Sequence, residues 1–329
     1  MILVTGSAGH LGNVLVRELV ASGEAVRALL LPGEDPTPLN DLAVERCEAD
    51  ILDYPALSEA FLGIDTVYHL AGMISILPGK NPLLGAVNVL GTRNVIHASL
   101  AYGVQRLIYT SSIHALRRIP HGVTVDESVP FDPEAAISAY DHSKAQASLE
   151  VLKAISLGLD AVIVCPTGVI GPYDFRLSEM GHIILGCLER KPQLYVDGAY
   201  DFVDVRDVAQ GLILANQRGR QGETYILSGE QLTVRRLLDT IKWITGKQFL
   251  RVRIPFRLAQ WAAHATPMYY RLTKTKPRFT PYSLETLASN SVISFDKSKR
   301  ELGYSPRPLH ESLADTIHWF RQNKPLLQA

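Results

Sequence analysis

The sequence predicts an α/β protein, a doubly wound parallel sheet to which a smaller and irregular C-terminal region is added. Short apolar strands alternate strictly with helical segments over residues 1–166, as in a parallel sheet covered by helices on both faces. The chain also opens with a strand, a glycine-rich turn and a helix, an order suited to anion binding. Such a fold binds its ligand beyond the carboxyl ends of the strands.

The glycine-rich turn follows Thr5 and carries glycines at every third position. Gly6 permits a tight turn, Gly9 lets backbone approach a pyrophosphate, and Gly12 lets the helix pack closely on the sheet. The spacing is G-x-x-G-x-x-G, and no Lys-Ser or Lys-Thr pair follows, which disfavours a nucleoside-triphosphate P-loop. We therefore expect a Rossmann-like domain whose dinucleotide phosphates lie against Gly6, Ala8, Gly9, His10, Leu11 and Gly12.

The other elements follow from apolar runs bounded by glycine and proline. Gly23 is suited to end the first helix, Pro32 and Gly33 end the second strand, and Pro166 ends the sixth. Strands are predicted at 2–4, 26–31, 44–49, 66–70, 105–109 and 161–165. Helices are predicted at 12–22, around 39–42, and at 55–61, 83–102 and 140–157.

The strict alternation ends after Pro166, where prolines interrupt the chain more often. Residues 1–166 are predicted to form the dinucleotide-binding domain, rejoined by about 202–228, within which 202–216 and 225–228 have regular patterns. Residues 167–201 and 229–329 are predicted to form the substrate-binding region, which ends in an amphipathic helix at 313–322.

The most apolar segment of this region is 254–272, which is interrupted by Arg257, Gln260, His264 and Arg271. Its polarity favours a helix that covers a substrate pocket over one that lies on a membrane. With Phe175 and Tyr200, residues 254–270 are expected to line a largely apolar cleft above the catalytic residues.

The overall composition excludes several classes of protein. Thirty-three basic residues balance thirty-three acidic ones, so no nucleic acid or anionic membrane is expected as a partner. Cys47, Cys165 and Cys187 are far apart, which fits neither a disulfide framework nor a metal site and indicates the cytoplasm. There is no apolar run of 18 residues and no room for a signal peptide before the first strand, so an integral membrane segment is not expected.

A tyrosine and a lysine four residues apart carry the chemistry. Tyr140 and Lys144 share one face of a helix that follows a strand ending in Ser111 and Ser112. A free phenol has a pKa of about 10, and an ammonium group one turn away lowers it toward the range in which a phenol can exchange protons. A hydroxyl of Ser112 can hold a substrate carbonyl beside Tyr140 while a nicotinamide supplies hydride.

These motifs together resemble those of the extended short-chain dehydrogenase/reductase superfamily, also described as the NAD-dependent epimerase/dehydratase family. Within it, the chain is similar to the dihydroflavonol reductase and 3β-hydroxysteroid dehydrogenase-like branch. The resemblance runs nearly end to end, through residues 5–12, 50–51, 69–72, 88–95, 109–112, 140–144, 165–172 and 202–207.

The resemblance implies a role for each matching residue. Tyr140 would be the acid/base, Lys144 would lower its pKa and bind the nicotinamide ribose, and Ser112 would orient the substrate carbonyl. The further cofactor contacts that it implies are Leu30 at the end of the second strand, Asp50 and Ile51 at the adenine, Leu70, Ala71, Gly72 and Asn88 along the cofactor, and Pro166 and Val169 near the nicotinamide.

The end of the second strand departs from the family pattern. Relatives carry there an Asp for the ribose hydroxyls or an Arg for a 2′-phosphate, whereas this chain has Leu30 and Leu31. Relatives of the reductase branch mostly use NADPH, but Glu34 and Asp35 would repel a 2′-phosphate. The cofactor is therefore expected to be NAD or NADP, with a slight preference for NAD.

Two further departures bear on the substrate. Nucleotide-sugar enzymes of the family commonly have an Arg where this chain has Tyr200, and sugar dehydratases often have Asp-Glu where it has Ile113 and His114. His114 is expected to be a structural residue or to lie at the pocket edge, in preference to a catalytic role.

The function expected is an NAD(P)-dependent reduction of a ketone or aldehyde, or oxidation of the alcohol, in a fairly apolar small molecule. The alternatives are a nucleotide-sugar epimerase and a non-catalytic dinucleotide sensor; Tyr200 disfavours the first, and the retained Tyr140 and Lys144 disfavour the second. The resemblance also implies a homodimer in which 83–102 and 140–157 meet their counterparts.

Overall fold

A computed structural model describes residues 1–75, 81–264 and 280–323 of the chain. Within these residues the central sheet has seven strands: β1 (Ile2–Thr5), β2 (Val26–Leu30), β3 (Glu45–Glu48), β4 (Thr66–His69), β5 (Arg106–Thr110), β6 (Ala161–Pro166) and β10 (Thr224–Leu227). All are parallel, and their order in the sheet is β10-β6-β5-β4-β1-β2-β3. The predicted α/β class with a doubly wound parallel sheet is confirmed.

The strand order reverses beside β1. The chain runs outward from β1 to β2 and β3, then returns to place β4 on the other side of β1. Ile2 pairs with Val26 of β2 and with Thr66 of β4, so the three strands start and end level with one another. A ligand of an open α/β sheet binds at this kind of reversal, next to the carboxyl ends of the strands.

Both faces of the sheet are covered by helices. The helices, in chain order, are α1 (His10–Ala21), α2 (Tyr54–Glu59), α3 (Pro82–Gly85), α4 (Thr92–Ala101), α5 (Ala139–Ser156), α6 (Glu179–Leu188), α7 (Val205–Arg218), α8 (Val234–Thr245), α9 (Phe256–His264), α10 (Pro281–Leu287), α11 (Asp296–Leu302) and α12 (Leu309–Asn323). Along β1, Leu3 points into one apolar cluster, which includes residues of α4 and α5, and Val4 points into the other, which includes residues of α1 and α7.

The C-terminal region adds two small sheets. One has the order β11-β9-β7, with β7 (Gly168–Ile170), β9 (Ala199–Asp204) and β11 (Glu230–Thr233), and the other pairs β8 (Gln193–Tyr195) with β12 (Arg251–Arg253). Helices α6, α8 and α12 pack around Phe202 of β9 in a third apolar cluster. No helix within the described ranges has both the length and the apolar character needed to cross a bilayer.

Several predicted elements are corrected. The helix predicted around 39–42 is a single 3₁₀ turn, Thr37–Leu39, because the backbone becomes extended at Asn40 (ψ 150°) and Asp41 then takes a left-handed conformation (φ 63°). The predicted helix 83–102 is α3 and α4, joined by a π-helical turn, Ala86–Gly91. Pro166 is the last residue of β6, one position beyond the predicted end at 165, and the predicted regular segment 202–216 is the end of β9 followed by α7.

Other corrections concern element bounds. The first helix begins at His10, two residues before the predicted start, and Leu31 lies outside β2. The terminal helix predicted at 313–322 starts earlier, at Leu309. Of the predicted 254–272 helix, Phe256–His264 is helical and 265–272 lies outside the described residues.

The close approach of α1 to the turn after β1 is testable at Gly12. A Cβ atom at Gly12 would lie 2.1 Å from the carbonyl oxygen of Gly6. Gly12→Ala is therefore expected to lower the free energy of unfolding by about 1–3 kcal/mol, as overpacking does elsewhere, measured by chemical denaturation. Gly85→Ala is the matched control, since nothing lies within 4 Å of its Cβ position; equal stability of the two variants would contradict the packing described.

Candidate active site

The glycine turn places backbone donors at the reversal point of the sheet. Gly6 has a left-handed conformation (φ 69°), and a Cβ atom there would lie 2.7 Å from the backbone nitrogen of Ala71. Gly9 precedes α1 without any side-chain capping bond, so no side chain occupies the first N–H groups of the helix. Open helix N–H groups above a cradle that only glycine fits suit the pyrophosphate of a dinucleotide.

A buried hydrogen-bond chain fixes the neighbouring strand end. The hydroxyl of Thr5 accepts from the backbone N–H groups of Leu70 and Ala71, and it lies 2.7 Å from Nδ1 of His69. Nε2 of His69 lies 3.0 Å from the hydroxyl of Thr92, which itself donates to the carbonyl of Asn88. The hydroxyl proton of Thr5 is therefore assigned to Nδ1, and His69 carries its proton on Nε2.

The imidazole of His69 stays neutral. Burial lowers its pKa to about 3, and the nearby charge of Lys144 lowers it further. A neutral ring with both nitrogens bonded is suited to holding Leu70 and Ala71 in place beneath a cofactor.

Tyr140, Lys144 and Ser112 meet at the carboxyl ends of β5 and β6. Tyr140 and Lys144 lie in the first two turns of α5, whose start is capped by Ser138 accepting from the N–H of Asp141. Ser112 follows β5, and its hydroxyl accepts from the N–H of His114 at 3.2 Å. All three side chains are buried, so little water reaches them.

Lys144 is held against backbone. Its Nζ donates to the carbonyl of Thr110 at 2.8 Å and lies 5.2 Å from the ring centre of Tyr109. A Cβ atom at Gly72 would lie 3.6 Å from the same nitrogen. Burial lowers the pKa of Lys144 to about 8, so the group is mostly charged at neutral pH.

Burial is the main influence on the pKa of Tyr140. Removal of the phenol from water raises its pKa to about 12, while a hydrogen bond with Ser112 acts in the opposite direction. Tyr140 is therefore protonated at neutral pH and is able to act as a general acid. The lowering of this pKa by Lys144, which the sequence suggests, stays a prediction.

The π-helical turn between α3 and α4 positions Asn88. The side-chain oxygen of Asn88 accepts from the N–H of Met73 at 2.8 Å, and its Nδ2 donates to the carbonyl of Met73 and to Ser143. Ser143 in turn donates to the carbonyl of Tyr140. Asn88 thus ties the chain beyond β4 to the start of α5, beside Gly72.

The remaining predicted cofactor residues lie along the same edge of the sheet. The carbonyl of Ile51 accepts from Asn94 of α4 at 2.8 Å, and the carboxylate of Asp50 accepts from the N–H of Leu52. Pro166 ends β6, and Val169 pairs with Val203 of β9. Their contacts with a cofactor stay predictions.

The sequence reading missed the position of Glu34. Its carboxylate folds back to accept from the N–H of Leu31 at 2.8 Å, immediately after β2, and forms an ion pair with Arg176. The side chain of Glu34 is 14% exposed and that of Arg176 is 54% exposed. A carboxylate and a basic residue from another loop therefore both lie beside the end of β2.

Glu34 and Arg176 give opposite expectations for cofactor choice. Glu34→Gln is expected to raise the ratio of kcat/KM for NADPH to that for NADH about tenfold, because a charge that repels a 2′-phosphate is removed. Arg176→Gln is expected to lower the same ratio. Glu24→Gln, at the other end of β2, is the control, and ratios for both variants within twofold of the unchanged protein would exclude Glu34 and Arg176 as determinants.

Three aromatic side chains stand beside Tyr140, and we call His114, Tyr200 and Tyr282 the aromatic wall. The ring of His114 lies 6.5 Å from that of Tyr140 and 5.8 Å from those of Tyr200 and Tyr282, measured between centroids. Tyr200 also lies against the backbone of Gly168, where a Cβ atom would be 2.5 Å from its ring. Each of the three wall residues is partly exposed.

Two charged groups lie behind this wall. Asp141, which is 1% exposed, accepts from the hydroxyl of Tyr282 at 2.7 Å and has Arg118 at 3.6 Å. Arg118, the cation behind this wall, is thus paired with a carboxylate.

Phe175 and the described part of the 254–270 segment pack against other side chains of the C-terminal region. Phe175 packs edge-on against Trp319 of α12, with ring centroids 5.1 Å apart. Ile254 and Phe256 pack with Ala259, Ala263 and Leu284, behind the helix that carries Tyr282. The rest of the segment, 265–270, lies outside the described residues, so an apolar cleft above Tyr140 stays a prediction.

Comparison with known proteins gives one consistent result. Residues 2–228 match the model of the NAD dependent epimerase/dehydratase family. Sterol demethylase protein B of Methylococcus capsulatus is 37% identical over 97% of this chain and 98% of its own length. A putative dihydroflavonol 4-reductase of Synechocystis is 33% identical over 97% and 94%. The crystal structure of a protein named gox2253 has a TM-score of 0.86 at 34% identity, and the match covers 98% of each chain.

Proposed function

On the premise that this chain belongs to the NAD dependent epimerase/dehydratase family, we propose that it reduces a ketone or aldehyde of a fairly apolar small molecule. It is an oxidoreductase of the extended short-chain type, with NAD or NADP as cofactor. The observation that carries the substrate proposal is the aromatic wall beside Tyr140, which lacks the arginine expected for a sugar nucleotide.

The residues of the chain account for the proton chemistry. A carbonyl oxygen between Ser112 and Tyr140 accepts a hydrogen bond from the serine and, as it becomes an alcohol, the proton of the tyrosine. Lys144 remains charged nearby and stabilises the resulting phenolate. The bound cofactor supplies the hydride, and the glycine turn, Gly72 and Lys144 are the groups that would hold it.

The composition of the aromatic wall indicates that the substrate is apolar. The wall consists of His114, Tyr200 and Tyr282; Arg118 behind it forms an ion pair with Asp141, and the buried Lys144 donates to the carbonyl of Thr110. A diphosphate bound there would lack charge-assisted bonds, which contribute about 1.5–3 kcal/mol each. The names of two relatives, a sterol demethylase protein and a putative dihydroflavonol reductase, point to ring compounds of the same character.

The test is a panel of ketones, aldehydes and sugar nucleotides. Oxidation of NADH or NADPH, followed at 340 nm, is expected with apolar ketones or aldehydes. UDP- and dTDP-sugars are expected to show no tight binding in calorimetry and no epimer formation. Tight binding with epimerisation would establish the epimerase instead, and cofactor binding without turnover of any substrate would favour the non-catalytic sensor.

A homodimer is the accompanying proposal. The α3–α4 and α5 segments expose leucines to solvent, which a two-fold contact between these helices would cover: Leu83, Leu90, Leu100, Leu149 and Leu157. Sedimentation equilibrium is expected to give twice the chain mass, and Leu157→Glu should shift it toward the monomer.

A further inference from the structure

His114 and Tyr200 form a polar pair within the aromatic wall. Nε2 of His114 lies 2.6 Å from the hydroxyl of Tyr200, and the two rings are nearly parallel, with 10° between their planes. The residues are 86 positions apart in the chain, so the contact depends on the way β9, which carries Tyr200, returns beside β7. Neither side chain is fully buried, and the pair therefore has surface available to a ligand.

The pair has one donor hydrogen left over. Burial lowers the pKa of His114, so the imidazole is neutral at pH 7 and carries one N–H. Tyr200 carries one O–H, and its pKa is raised by burial, so it is not ionised. One of these two hydrogens is used in the bond between them, whichever residue donates. The other hydrogen remains on Nδ1 of His114 or on the hydroxyl of Tyr200.

Nothing described in the protein uses this remaining group. Within residues 1–75, 81–264 and 280–323, the side chain of His114 has one hydrogen bond, the one to Tyr200. The hydroxyl of Tyr282, by contrast, has its hydrogen bonded, because it donates to the carboxylate of Asp141. Among the described residues, the hydroxyl of Tyr282 is therefore bonded, whereas one hydrogen of the His114–Tyr200 pair has no partner.

This position adjoins the carbonyl subsite. His114 is two residues from Ser112, whose hydroxyl accepts from the backbone N–H of His114, and its ring stands edge-on to that of Tyr140. On the premise of the proposed function, we propose that the His114–Tyr200 pair binds a second oxygen of the substrate, a hydroxyl or carbonyl group close to the carbonyl that is reduced. The substrate class is thereby narrowed to cyclic ketones that carry an oxygen substituent near the reacting carbon.

The test compares two ketones that differ in one hydroxyl group, 1-tetralone and 2-hydroxy-1-tetralone. The unchanged protein is expected to prefer the hydroxyketone about tenfold in kcat/KM, the equivalent of one good hydrogen bond. His114→Phe and Tyr200→Phe keep the rings and should reduce the preference to about one. Tyr282→Phe removes a hydroxyl that is already bonded to Asp141, so the preference should persist.

The comparison separates the two proposals. If no ketone is reduced, the proposed function fails, and the same preference is then measured as a ratio of dissociation constants, by calorimetry with cofactor-saturated protein. A ratio near one in the unchanged protein, or an equal ratio in the protein and both single variants, would overturn the second binding position. A substitution that disturbs the structure in general would weaken the turnover or binding of both ketones alike, and it would leave the ratio between the hydroxyketone and the ketone unchanged.

Discussion

Replacing Tyr140 with phenylalanine is expected to lower kcat by about 10²–10⁴, the usual contribution of a positioned general acid. The substitution removes only the hydroxyl, and the ring is 8% exposed and remains packed against His114. Binding of the cofactor, measured by fluorescence titration, should stay nearly unchanged. The phenol has its pKa raised to about 12, so the protonated acid is present throughout the neutral range and reduction should depend little on pH there.

The control for this variant is Tyr102→Phe, which removes a hydroxyl from a side chain that is 40% exposed on the far end of α4. It should leave kcat unchanged. A Tyr140→Phe enzyme that kept more than about half of its kcat would show that another group supplies the proton.

Replacing Lys144 with methionine is expected to lower kcat/KM about 100-fold and to weaken cofactor binding. The charge that stabilises the phenolate is lost, an effect of 1–3 pKa units for a nearby opposite charge, and the carbonyl of Thr110 loses its donor. Lys153→Met is the matched control, since Lys153 is exposed on the same helix. Similar losses in both variants would mean that helix stability, and not the buried ammonium, is responsible.

The titration of Lys144 adds a pH dependence with a defined sign. Because its pKa is lowered to about 8, the ammonium is lost as pH rises through that value, and kcat/KM should fall above it. Lys144→Arg should remove this fall, since a guanidinium stays charged. In the unfolded chain the lysine keeps its proton to about pH 10.4, so the contribution of this group to stability should rise between about pH 8 and 10.4.

The sequence predicts the first half of the fold well because each strand and helix there is a local pattern. The β1, glycine turn and α1 unit is readable from twelve residues, and the glycine positions follow from the turn that they must make. The start of α1 at His10 was not predicted, because it depends on which N–H groups remain open and not on apolar periodicity. The π-helical turn at Asn88 was also missed, since its apolar spacing matches that of an ordinary helix.

Contacts between distant residues account for most of what the sequence did not reveal. The bond between His114 and Tyr200 and the placing of Glu34 against Leu31 and Arg176 depend on how loops return over the sheet. Glu34 was read by its charge alone, as a group that repels phosphate. The sequence places two acidic residues after β2, but only the folded turn shows that Glu34 is the one whose carboxylate contacts the N–H of Leu31.

The position of β10 in the sheet affects how the chain acquires its structure during synthesis. β10 pairs with β6 along its whole length, Thr224–Leu227, although 57 residues lie between the end of β6 and the start of β10. Until those residues leave the ribosome, all six residues of β6, buried in the finished protein, form an open edge to which other chains can pair. We therefore expect a polypeptide ending at residue 166 to aggregate, and one ending shortly after Leu227 to remain in solution longer.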